Sequence, residues 1–377
     1  MTYEDERAAF LDTAYLAACA VNGQIPDAER VSRMDLTALY KTAERHLLTG
    51  ITAMALESAG VKDEAFTQAK GKAVRKAVVF DAERAAVLEK LEEAGIWHMP
   101  LKGSVLKDLY PAIGMRQMSD NDILFDAART EDVRAIMEGL GFDISGYGKG
   151  VHDSYVKPPV CCFEMHRALF GASSDDRLQK YYVDVKSRLL QDENSSFGFH
   201  FSDEDFYIYM IAHEYKHYSG SGTGLRSLLD TYVYLSKKDE TMERPYISRE
   251  LEKLGIADFE VRNRTFALHL FGSEALTEAD EEMLGEMLSS GAYGTITNRV
   301  KKRLAKNKGK PFGKARYVLA RLFMSRKEAE DSFPVFSKHP ILMPVLPIYR
   351  ILRGLTVRRR VLRAELKALV KSRSDRE

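Results

Sequence analysis

The spacing of apolar residues divides the chain into helical stretches at both ends and a middle segment with strand character. In residues 8–18 and 36–47, apolar side chains recur at three- and four-residue intervals. Residues 73–94 continue in the same way as far as Gly95. Side chains with this spacing lie on one face of a helix, so residues 1–92 are predicted to form an N-terminal helical region.

The middle segment, residues 93–200, contains short apolar runs that are separated by turn residues. Runs of this length are typical of β-strands. Strands are predicted at 96–101, 122–125, 142–145, 153–156 and 160–166, and helices at 105–110 and 131–140. Thr130 is the predicted N-cap of the second helix. The segment is therefore predicted to be a small α/β unit.

Helical patterning returns after the middle segment. Residues 203–205 are three carboxylates at the start of an apolar stretch, and carboxylates stabilise the positive end of a helix. This helix is predicted to run to His217, with a flexible turn at 219–224 and a further helix at 225–235. A helical domain is predicted at 201–330 and a basic helical tail at 331–377. The predicted fold class is α+β, a small mixed-sheet core flanked by N-terminal and C-terminal helical regions.

The composition is that of a folded globular protein. Apolar residues make up 45% of the chain, charged residues 29%, and the formal net charge is +1. Cys161 and Cys162 are adjacent, which disfavours a disulfide between them and fits a reducing compartment. The longest apolar run, at 341–348, contains two prolines and is far shorter than a membrane span. A soluble, cytoplasmic protein is expected.

Three carboxylates in the middle segment are candidate metal ligands. Asp120 and Asp122 stand two positions apart at the start of a predicted strand, so both point to the same face of the sheet. Glu164 lies on another predicted strand. Two carboxylates about 4 Å apart repel by roughly 4 kcal/mol at an effective dielectric of 20, and a divalent cation would relieve this repulsion. Oxygen ligands of this kind suit Mg²⁺, with Mn²⁺ as the alternative.

Basic and glycine residues next to these carboxylates are candidate phosphate contacts. Lys102, Gly103 and Ser104 lie between a predicted strand and a predicted helix, and Arg116 precedes the two aspartates. Glycine allows a phosphate to approach the backbone, and backbone N–H groups at a helix start bind anions. Lys102 and Arg116 would neutralise phosphate oxygens. Each motif taken alone is more often structural, so the prediction depends on their order along the chain.

These residues together resemble the bacterial uncharacterised nucleotidyltransferase family, within the DNA polymerase beta-like nucleotidyltransferase superfamily. The shared pattern covers most of residues 35–355. Its motifs here are Lys102-Gly103, Arg116, Asp120-Asn-Asp122, Glu164-Met-His166, His213-x-x-x-His217, Leu225-Arg226, Asp230, Gly291-Ala-Tyr-Gly294 and the proline-rich stretch at 334–350. In the wider superfamily the third carboxylate is commonly Asp, whereas it is Glu164 here.

The resemblance implies an enzyme that uses Mg²⁺ and transfers an NMP from an NTP donor with release of pyrophosphate. Asp120, Asp122 and Glu164 would be both the catalytic residues and the metal ligands. The acceptor would carry a hydroxyl group and belong to a small molecule, a sugar or a protein. His166 would either assist the metal site or form a structural hydrogen bond, while Trp97 and Tyr110 are expected in the core.

A competing motif is His213-Glu-Tyr-Lys-His217, which matches the His-Glu-x-x-His pattern of zinc metallopeptidases. On a helix the two histidines lie on one face as zinc ligands, and Glu214 would be the base. A third ligand is needed, and Asp230 and Glu240 are the nearest downstream candidates. The same histidines could also pack the helical domain against the sheet or reach into the nucleotide cleft. A third alternative is a non-catalytic nucleotide-binding or regulatory protein.

The C-terminal third contains two basic stretches, at 301–316 and 350–363. Such stretches are usually solvated helix faces. An anionic acceptor, RNA included, and weak contact of the basic tail with an anionic membrane surface are the alternatives. Nucleic acid is not specifically indicated, because only Phe312, Tyr317 and Tyr349 are available there for base stacking.

Overall fold

The computed structural model of the protein describes residues 2–172, 174–272, 274–292, 294–305 and 313–374. Five residues of the motifs and of the first basic stretch named above lie outside the described residues. They are Tyr293, Lys306, Lys308, Lys310 and Phe312. Within the described part, helices come before and after a five-stranded sheet in the sequence. The fold is thus the predicted α+β class, a mixed-sheet core flanked by helical regions.

Five helices precede the sheet, as the apolar spacing predicts. They are α1 (Tyr3–Val21), α2 (Ala28–Ser32), α3 (Leu36–His46), α4 (Thr49–Ser58) and α5 (Glu64–Glu93). Thr2, Asp27, Asp35 and Asp63 cap four of them by accepting backbone N–H groups. These caps satisfy donors that have no partner inside the helix. The long helix α5 begins at Glu64, earlier than the predicted start at residue 73.

The sheet contains the five predicted strands, with bounds shifted by one or two residues. They are β1 (His98–Pro100), β2 (Asn121–Phe125), β3 (Asp143–Gly146), β4 (His152–Lys157) and β5 (Cys161–His166), with helices α6 (Lys102–Lys107) and α7 (Thr130–Gly139) between them. The strand order is β1-β2-β5-β4-β3, and β2 pairs with β5 in parallel while the other pairs are antiparallel.

The predicted N-cap of α7 is wrong. Arg129 occupies the cap position and makes no side-chain cap hydrogen bond, while Thr130 is the first residue inside the helix. The Thr130 hydroxyl instead donates to the carbonyl of Ala127, in the 3₁₀ turn Ala127–Arg129. That turn is capped by Asp126, so the chain begins to coil before the expected position.

The two faces of the sheet differ in polarity. Alternate residues Ile123, Phe163 and Met165 are fully buried and pack with Phe80 of α5 and Val133 of α7. On the opposite face, Asp122, Glu164 and His166 are polar and partly exposed, while Leu124 is buried. The sheet therefore has one face in the core and one face on which chemistry can take place.

Helices follow the sheet to the end of the described chain. They are α8 (Asp176–Tyr181), α9 (Asp203–Gly220), α10 (Leu225–Lys238), α11 (Arg244–Leu254), α12 (Ala257–Gly272), α13 (Glu278–Leu288), α14 (Ile296–Ala305), α15 (Gly313–Leu322), α16 (Arg326–Ser332), α17 (Pro334–Lys338), α18 (Leu346–Thr356) and α19 (Arg359–Ser374). A two-stranded ribbon of β6 (Leu189–Gln191) and β7 (Phe199–Phe201), which was not predicted, precedes α9.

Among the described helices, none is by itself long and apolar enough to cross a membrane. Pro340–Thr356 and Arg359–Leu369 meet the length and composition criterion only as a pair, and they are bent by 100° relative to each other.

Two hydrophobic clusters join the sheet unit to the helices on either side. One contains Met99 and Leu124 of the sheet together with residues 206–212 of α9. The other contains Phe10 of α1, Tyr110 beside the sheet and Leu225 of α10. Tyr110 is buried, as expected, and Trp97 packs against the first cluster. The boundaries at 92/93 and 200/201 remain predictions, and the hydrophobic packing continues across both.

Candidate active site

The three predicted carboxylates come together on the polar face of the sheet. Asp122 on β2 and Glu164 on β5 are direct partners in the parallel pair, and Asp120 immediately precedes β2. One ligand oxygen from each of the three lies within 4.8 Å of the other two. Between the aspartates, Asn121 points into the core, where its amide donates to the carbonyl of Phe80 at 3.2 Å. Asn121 thus fastens β2 to α5 and leaves both aspartates on the open face.

The proximity of these carboxylates raises the pKa of Asp120. Burial is the largest cause, followed by the negative charges of Asp122 and Glu164, and together they raise this pKa to about 7. A carboxyl group with such a pKa holds a proton more readily than usual unless a cation is present. All donors in this group are oxygens, which fits a hard divalent cation such as Mg²⁺.

Two basic side chains that the sequence analysis missed lie near Asp120. The positive charges of Arg226 and Lys76 both oppose the rise in the Asp120 pKa. Lys76 of α5 donates to the carbonyl of Ser119 at 3.1 Å, and Arg226 of α10 donates to the carbonyl of Gln117 at 3.3 Å. Both cations therefore hold the loop that leads into β2.

Two histidines extend the site along the sheet. His166 Nε2 lies 3.3 Å from Asp122 Oδ1 and 3.7 Å from Glu164 Oε2, and His152 Nε2 lies 3.4 Å from the same Glu164 oxygen. Burial alone would lower the pKa of His166, but its contacts with Asp122 and Glu164 outweigh this and raise it to about 9. The pKa of His152 is lowered, first by burial and then by His166.

Helix α9 contributes a further group of side chains to the cleft. Burial lowers the pKa of Lys216, and the charges of Glu164, Asp331 and Asp122 oppose that shift, so the ammonium faces the acidic cluster. His213 and His217 lie next to each other with ring centroids 4.7 Å apart. Burial lowers the pKa of His217 to about 4 and lowers the pKa of His213 well below its usual value, which keeps both imidazoles neutral near pH 7.

Arg116 lies in a buried ion pair beneath the loop, where it is enclosed by protein. Its guanidinium donates to both oxygens of Asp230, at 2.8 and 2.9 Å, and to the carbonyl of Gly103 at 3.1 Å. The side chains of Arg116 and Asp230 are 4% and 1% exposed. The position of Arg116 was thus not anticipated, because its partner lies 114 residues further along the chain.

The other predicted phosphate contacts surround this ion pair. Lys102 is buried, and burial lowers its pKa against the opposing charges of Asp230 and Glu214. The Ser104 hydroxyl donates to the carbonyl of Leu101 at 2.9 Å. At Gly103, an added Cβ would lie 2.9 Å from the terminal carbon of Met118. Glycine therefore fits the close packing at this turn, and its contact with a phosphate remains a prediction.

The geometry of the His-Glu-x-x-His motif does not favour a zinc peptidase. Glu214 is buried and accepts a hydrogen bond from Asn263 at 3.1 Å, away from the two histidines. Asp230 is engaged by Arg116, and Glu240 is exposed. Of the described residues, two groups have the geometry of a metal site, and neither contains His213 or His217.

The chain is similar to a known protein family and to solved structures. A family model described as "Uncharacterised nucleotidyltransferase" matches residues 32–272. The solution structure of the antibiotic-resistance factor ANT(2'')-Ia is similar at 12% identity and a TM-score of 0.26, over 52% of this chain and 93% of that chain. The crystal structure of an antigenic nucleotidyltransferase-like protein from Paracoccidioides brasiliensis is similar at 15% identity and a TM-score of 0.34, over 55% and 96% of the two chains.

No curated protein sequence matches the chain. The family match spans more than half of the 377 residues. The protein belongs to the uncharacterised nucleotidyltransferase family.

Proposed function

We propose that the protein is a Mg²⁺-dependent enzyme that transfers an NMP from an NTP to a hydroxyl acceptor and releases pyrophosphate. The observation that carries this proposal is the in-register pairing of Asp122 with Glu164, beside Asp120, on the open face of the sheet. A cytoplasmic location is part of the proposal. The acceptor is a small molecule, a sugar or a protein that carries a hydroxyl group.

Asp120, Asp122 and Glu164 would hold the metal, with Mn²⁺ as an alternative to Mg²⁺. The raised pKa of Asp120 fits this role, because a cation on its oxygens would relieve the repulsion that favours its protonated form. A divalent ion held there supplies electrostatic stabilisation of the charge that develops on the α-phosphate oxygens.

In the proposed reaction one proton moves to the protein, one phosphorus–oxygen bond forms and another phosphorus–oxygen bond breaks. The acceptor hydroxyl loses its proton to the carboxylate of Glu164, and the acceptor oxygen forms a bond to the α-phosphorus. The bond between the α-phosphorus and the bridging oxygen breaks, and pyrophosphate leaves with that oxygen. Glu164 is suited to accept the proton because its side chain is partly exposed on the same face as the aspartates.

Several basic side chains would bind the triphosphate. Three cations act electrostatically on the carboxylate cluster, namely Lys76, Arg226 and Lys216. We infer that they offset the negative charge of the triphosphate. Gly103 and Ser104 would approach the β- and γ-phosphates, with Lys102 adding positive charge from beneath. Arg116 would position this turn through the Gly103 carbonyl, because its guanidinium is engaged by Asp230.

The direct test uses each of the four NTPs labelled at the α-phosphate, incubated with the protein, Mg²⁺ and a cell extract. Asp120→Asn and Asp122→Asn should lower label transfer on the order of a hundredfold or more, because each removes a proposed metal ligand. Asp143→Asn is the matched control, since Asp143 is exposed on the edge strand β3 and should leave transfer unchanged.

Transfer that is equal in the wild type and both site variants would contradict the proposed site. Binding of an NTP without transfer to any component of the extract would instead identify a non-catalytic nucleotide-binding protein of the same fold.

A further inference from the structure

His152 and His166 form a pair on the polar face of the sheet that the nucleotidyl-transfer site does not require. They are direct partners in the antiparallel β4–β5 pair, and their ring centroids lie 4.9 Å apart. Each ring presents Nε2 to the same carboxylate oxygen, Oε2 of Glu164. Two imidazoles and one carboxylate therefore converge on a single point.

The distances in this group match those between the ligands of one metal ion. His152 Nε2 lies 3.4 Å and His166 Nε2 lies 3.7 Å from Glu164 Oε2, and His166 Nε2 lies 3.3 Å from Asp122 Oδ1. Ligand atoms about 2.1 Å from a tetrahedrally coordinated ion lie roughly 3.4 Å from one another. An ion at the centre of His152, His166 and Glu164 would thus reach one ligand atom of each with little rearrangement.

The polar contacts of both rings are made on the side that faces Glu164. In both rings Nδ1 is buried without a hydrogen-bond partner among the described residues, so the polar contacts of each imidazole are made through Nε2. Lys216 also faces Glu164 and Asp122 from α9 and offsets part of their charge. Its ammonium does not account for two imidazole nitrogens that point at one carboxylate oxygen.

We propose that His152, His166 and Glu164 bind a transition-metal ion such as Zn²⁺, Mn²⁺ or Co²⁺. Imidazole nitrogen is a good ligand for these ions, whereas Mg²⁺ prefers oxygen ligands and keeps several waters. Glu164 would then be shared between this centre and the oxygen-only site of Asp120 and Asp122. The centre follows from its own geometry and does not depend on nucleotidyl transfer.

The test uses full-length protein freed of metal with a chelator and titrated with Co²⁺ in excess Mg²⁺. Co²⁺ bound to nitrogen and oxygen ligands in low coordination absorbs visible light, so binding is measured directly. We expect about one equivalent in the wild type and in Asp120→Asn. His152→Ala and His166→Ala should each weaken binding at least about tenfold. His200→Ala is the control, because His200 is exposed and contacts Asp192. It lies in the two-stranded ribbon, which is separate from the five-stranded sheet that carries His152 and His166.

A second measurement keeps the proposal testable if a histidine variant folds poorly. Pulsed electron paramagnetic resonance of wild-type protein loaded with Mn²⁺ should show coupling to ¹⁴N. The proposal is overturned if Mg²⁺ displaces Co²⁺, if both histidine variants bind Co²⁺ like the wild type, or if no nitrogen coupling appears. Because label transfer is measured separately, failure of the metal centre and failure of the proposed function give different results.

A second inference comes from an exposed apolar stripe at the C-terminal end. Ile341, Val345, Ile348, Leu352 and Leu355 are 51–86% exposed. Ile348, Leu352 and Leu355 stand three or four positions apart in helix α18, so they fall along one side of it, and Ile341 and Val345 lie in the 3₁₀ turn Pro340–Val345 that leads into this helix. Scattered exposed apolar residues are ordinary, but a contiguous stripe marks an interaction surface.

The charge around this stripe identifies its partner. Residues 334–364 contain seven Lys or Arg residues and no Asp or Glu. A second copy of the chain would place like charges opposite each other, and RNA would leave the aliphatic stripe in water. A bilayer with anionic headgroups accommodates both the apolar side chains and the positive charge.

We infer that this segment docks on an anionic lipid surface. In flotation experiments the full-length protein should bind vesicles of phosphatidylcholine mixed with phosphatidylglycerol, and not vesicles of phosphatidylcholine alone. High salt should release it, because exposed charges are then screened. Ile348→Asp with Leu352→Asp should weaken binding at least about tenfold, while Val183→Asp, at an 82% exposed apolar residue elsewhere, should not.

Three results would overturn this inference. They are equal binding to neutral and anionic vesicles, binding to single-stranded RNA that the same double variant abolishes, and a concentration-dependent dimer in light scattering that the double variant dissociates.

Discussion

At the scale of single residues, Arg116 and Asp230 form an ion pair that is almost fully enclosed by protein. The two hydrogen bonds between them are joined by a third, in which the Tyr110 hydroxyl donates to Asp230 at 2.8 Å. Burial would raise the pKa of Asp230, but the charge of Arg116 and its hydrogen bonds outweigh this and hold the pKa below its usual value. Asp230 therefore stays ionised, and loss of either partner would leave an uncompensated charge inside the protein.

Asp230→Asn should lower the free energy of unfolding by about 3–5 kcal/mol, because Arg116 is then buried without its counter-charge. Urea denaturation measures this change. The double variant Arg116→Met with Asp230→Leu should recover part of the lost free energy of unfolding. The recovery is only partial because the Tyr110 hydroxyl then has no acceptor at position 230. Arg134→Met is the control, since its pair with Glu138 is exposed and should leave stability nearly unchanged. A small effect of Asp230→Asn would argue against a buried pair.

His46 should make the stability of the protein depend on pH. It is 1% exposed, and its Nδ1 accepts the backbone N–H of Leu225 at 3.1 Å, so the neutral ring is the one that fits. Burial, and then the charge of Arg45, lower its pKa to about 3. Between pH 6.5 and about 3 the unfolded chain binds a proton that the native state does not, so this contribution is lost as the pH falls.

His46→Gln should therefore make stability less dependent on pH in that range, by at most about 1.4 kcal/mol per pH unit. Urea denaturation at several pH values, compared with wild type, isolates this contribution because all other groups are common to both proteins. The exposed His200→Gln serves as the control. An unchanged slope in His46→Gln would show that His46 takes up its proton without unfolding.

The sequence predicted which carboxylates lie together on the sheet more successfully than it predicted the cations beside them. Asp120 and Asp122 are recognisable because strand alternation places residues two apart on one face. His152 was missed because the strand was predicted to begin at residue 153, one position too late. Lys76 and Arg226 lie in helical regions, where a cation usually indicates a solvated face, and only the tertiary contacts reveal their position.

At the scale of elements, the strands and helices follow from local patterns but the sheet order does not. Each strand of the five-stranded sheet was predicted from a short apolar run, whereas the parallel pairing of β2 with β5 depends on residues about 40 positions apart. The ribbon of β6 and β7 was missed because three-residue strands carry too few positions to show a period. Helix α5 was predicted to start late because Lys70, Gly71 and Lys72 interrupt the apolar spacing.

The start of α9 depends on its N-cap. The Ser202 hydroxyl accepts the backbone N–H of Asp205 at 3.2 Å. Ser202→Ala should lower the free energy of unfolding by about 1 kcal/mol, because that N–H loses its partner. Chemical denaturation measures the loss, and Ser236→Ala, at an exposed position within α10, is the control. A loss of the same size in both variants would mean that the cap contributes nothing specific.

At the scale of the whole molecule, ligand binding should stabilise the native state. If the site binds an NTP with its metal, ligand at about 100 times its dissociation constant adds about 2.7 kcal/mol to the free energy of unfolding. Differential scanning fluorimetry with each NTP and Mg²⁺ should then show a rise of roughly a few degrees in Tm for the cognate nucleotide. The rise should disappear in the variant Asp120→Asn with Asp122→Asn. No rise with any of the four nucleotides would count against the site.

The two hydrophobic clusters that run through the predicted boundaries have a practical consequence for anyone who wishes to shorten this protein. Cutting at residue 92 or 200 would strip the sheet of the apolar partners that α1, α9 and α10 supply to it. A fragment of the sheet alone would expose this surface to water and tend to aggregate. The smallest autonomous version of the protein must therefore retain helices from both flanks, and heating should melt these parts in one calorimetric transition.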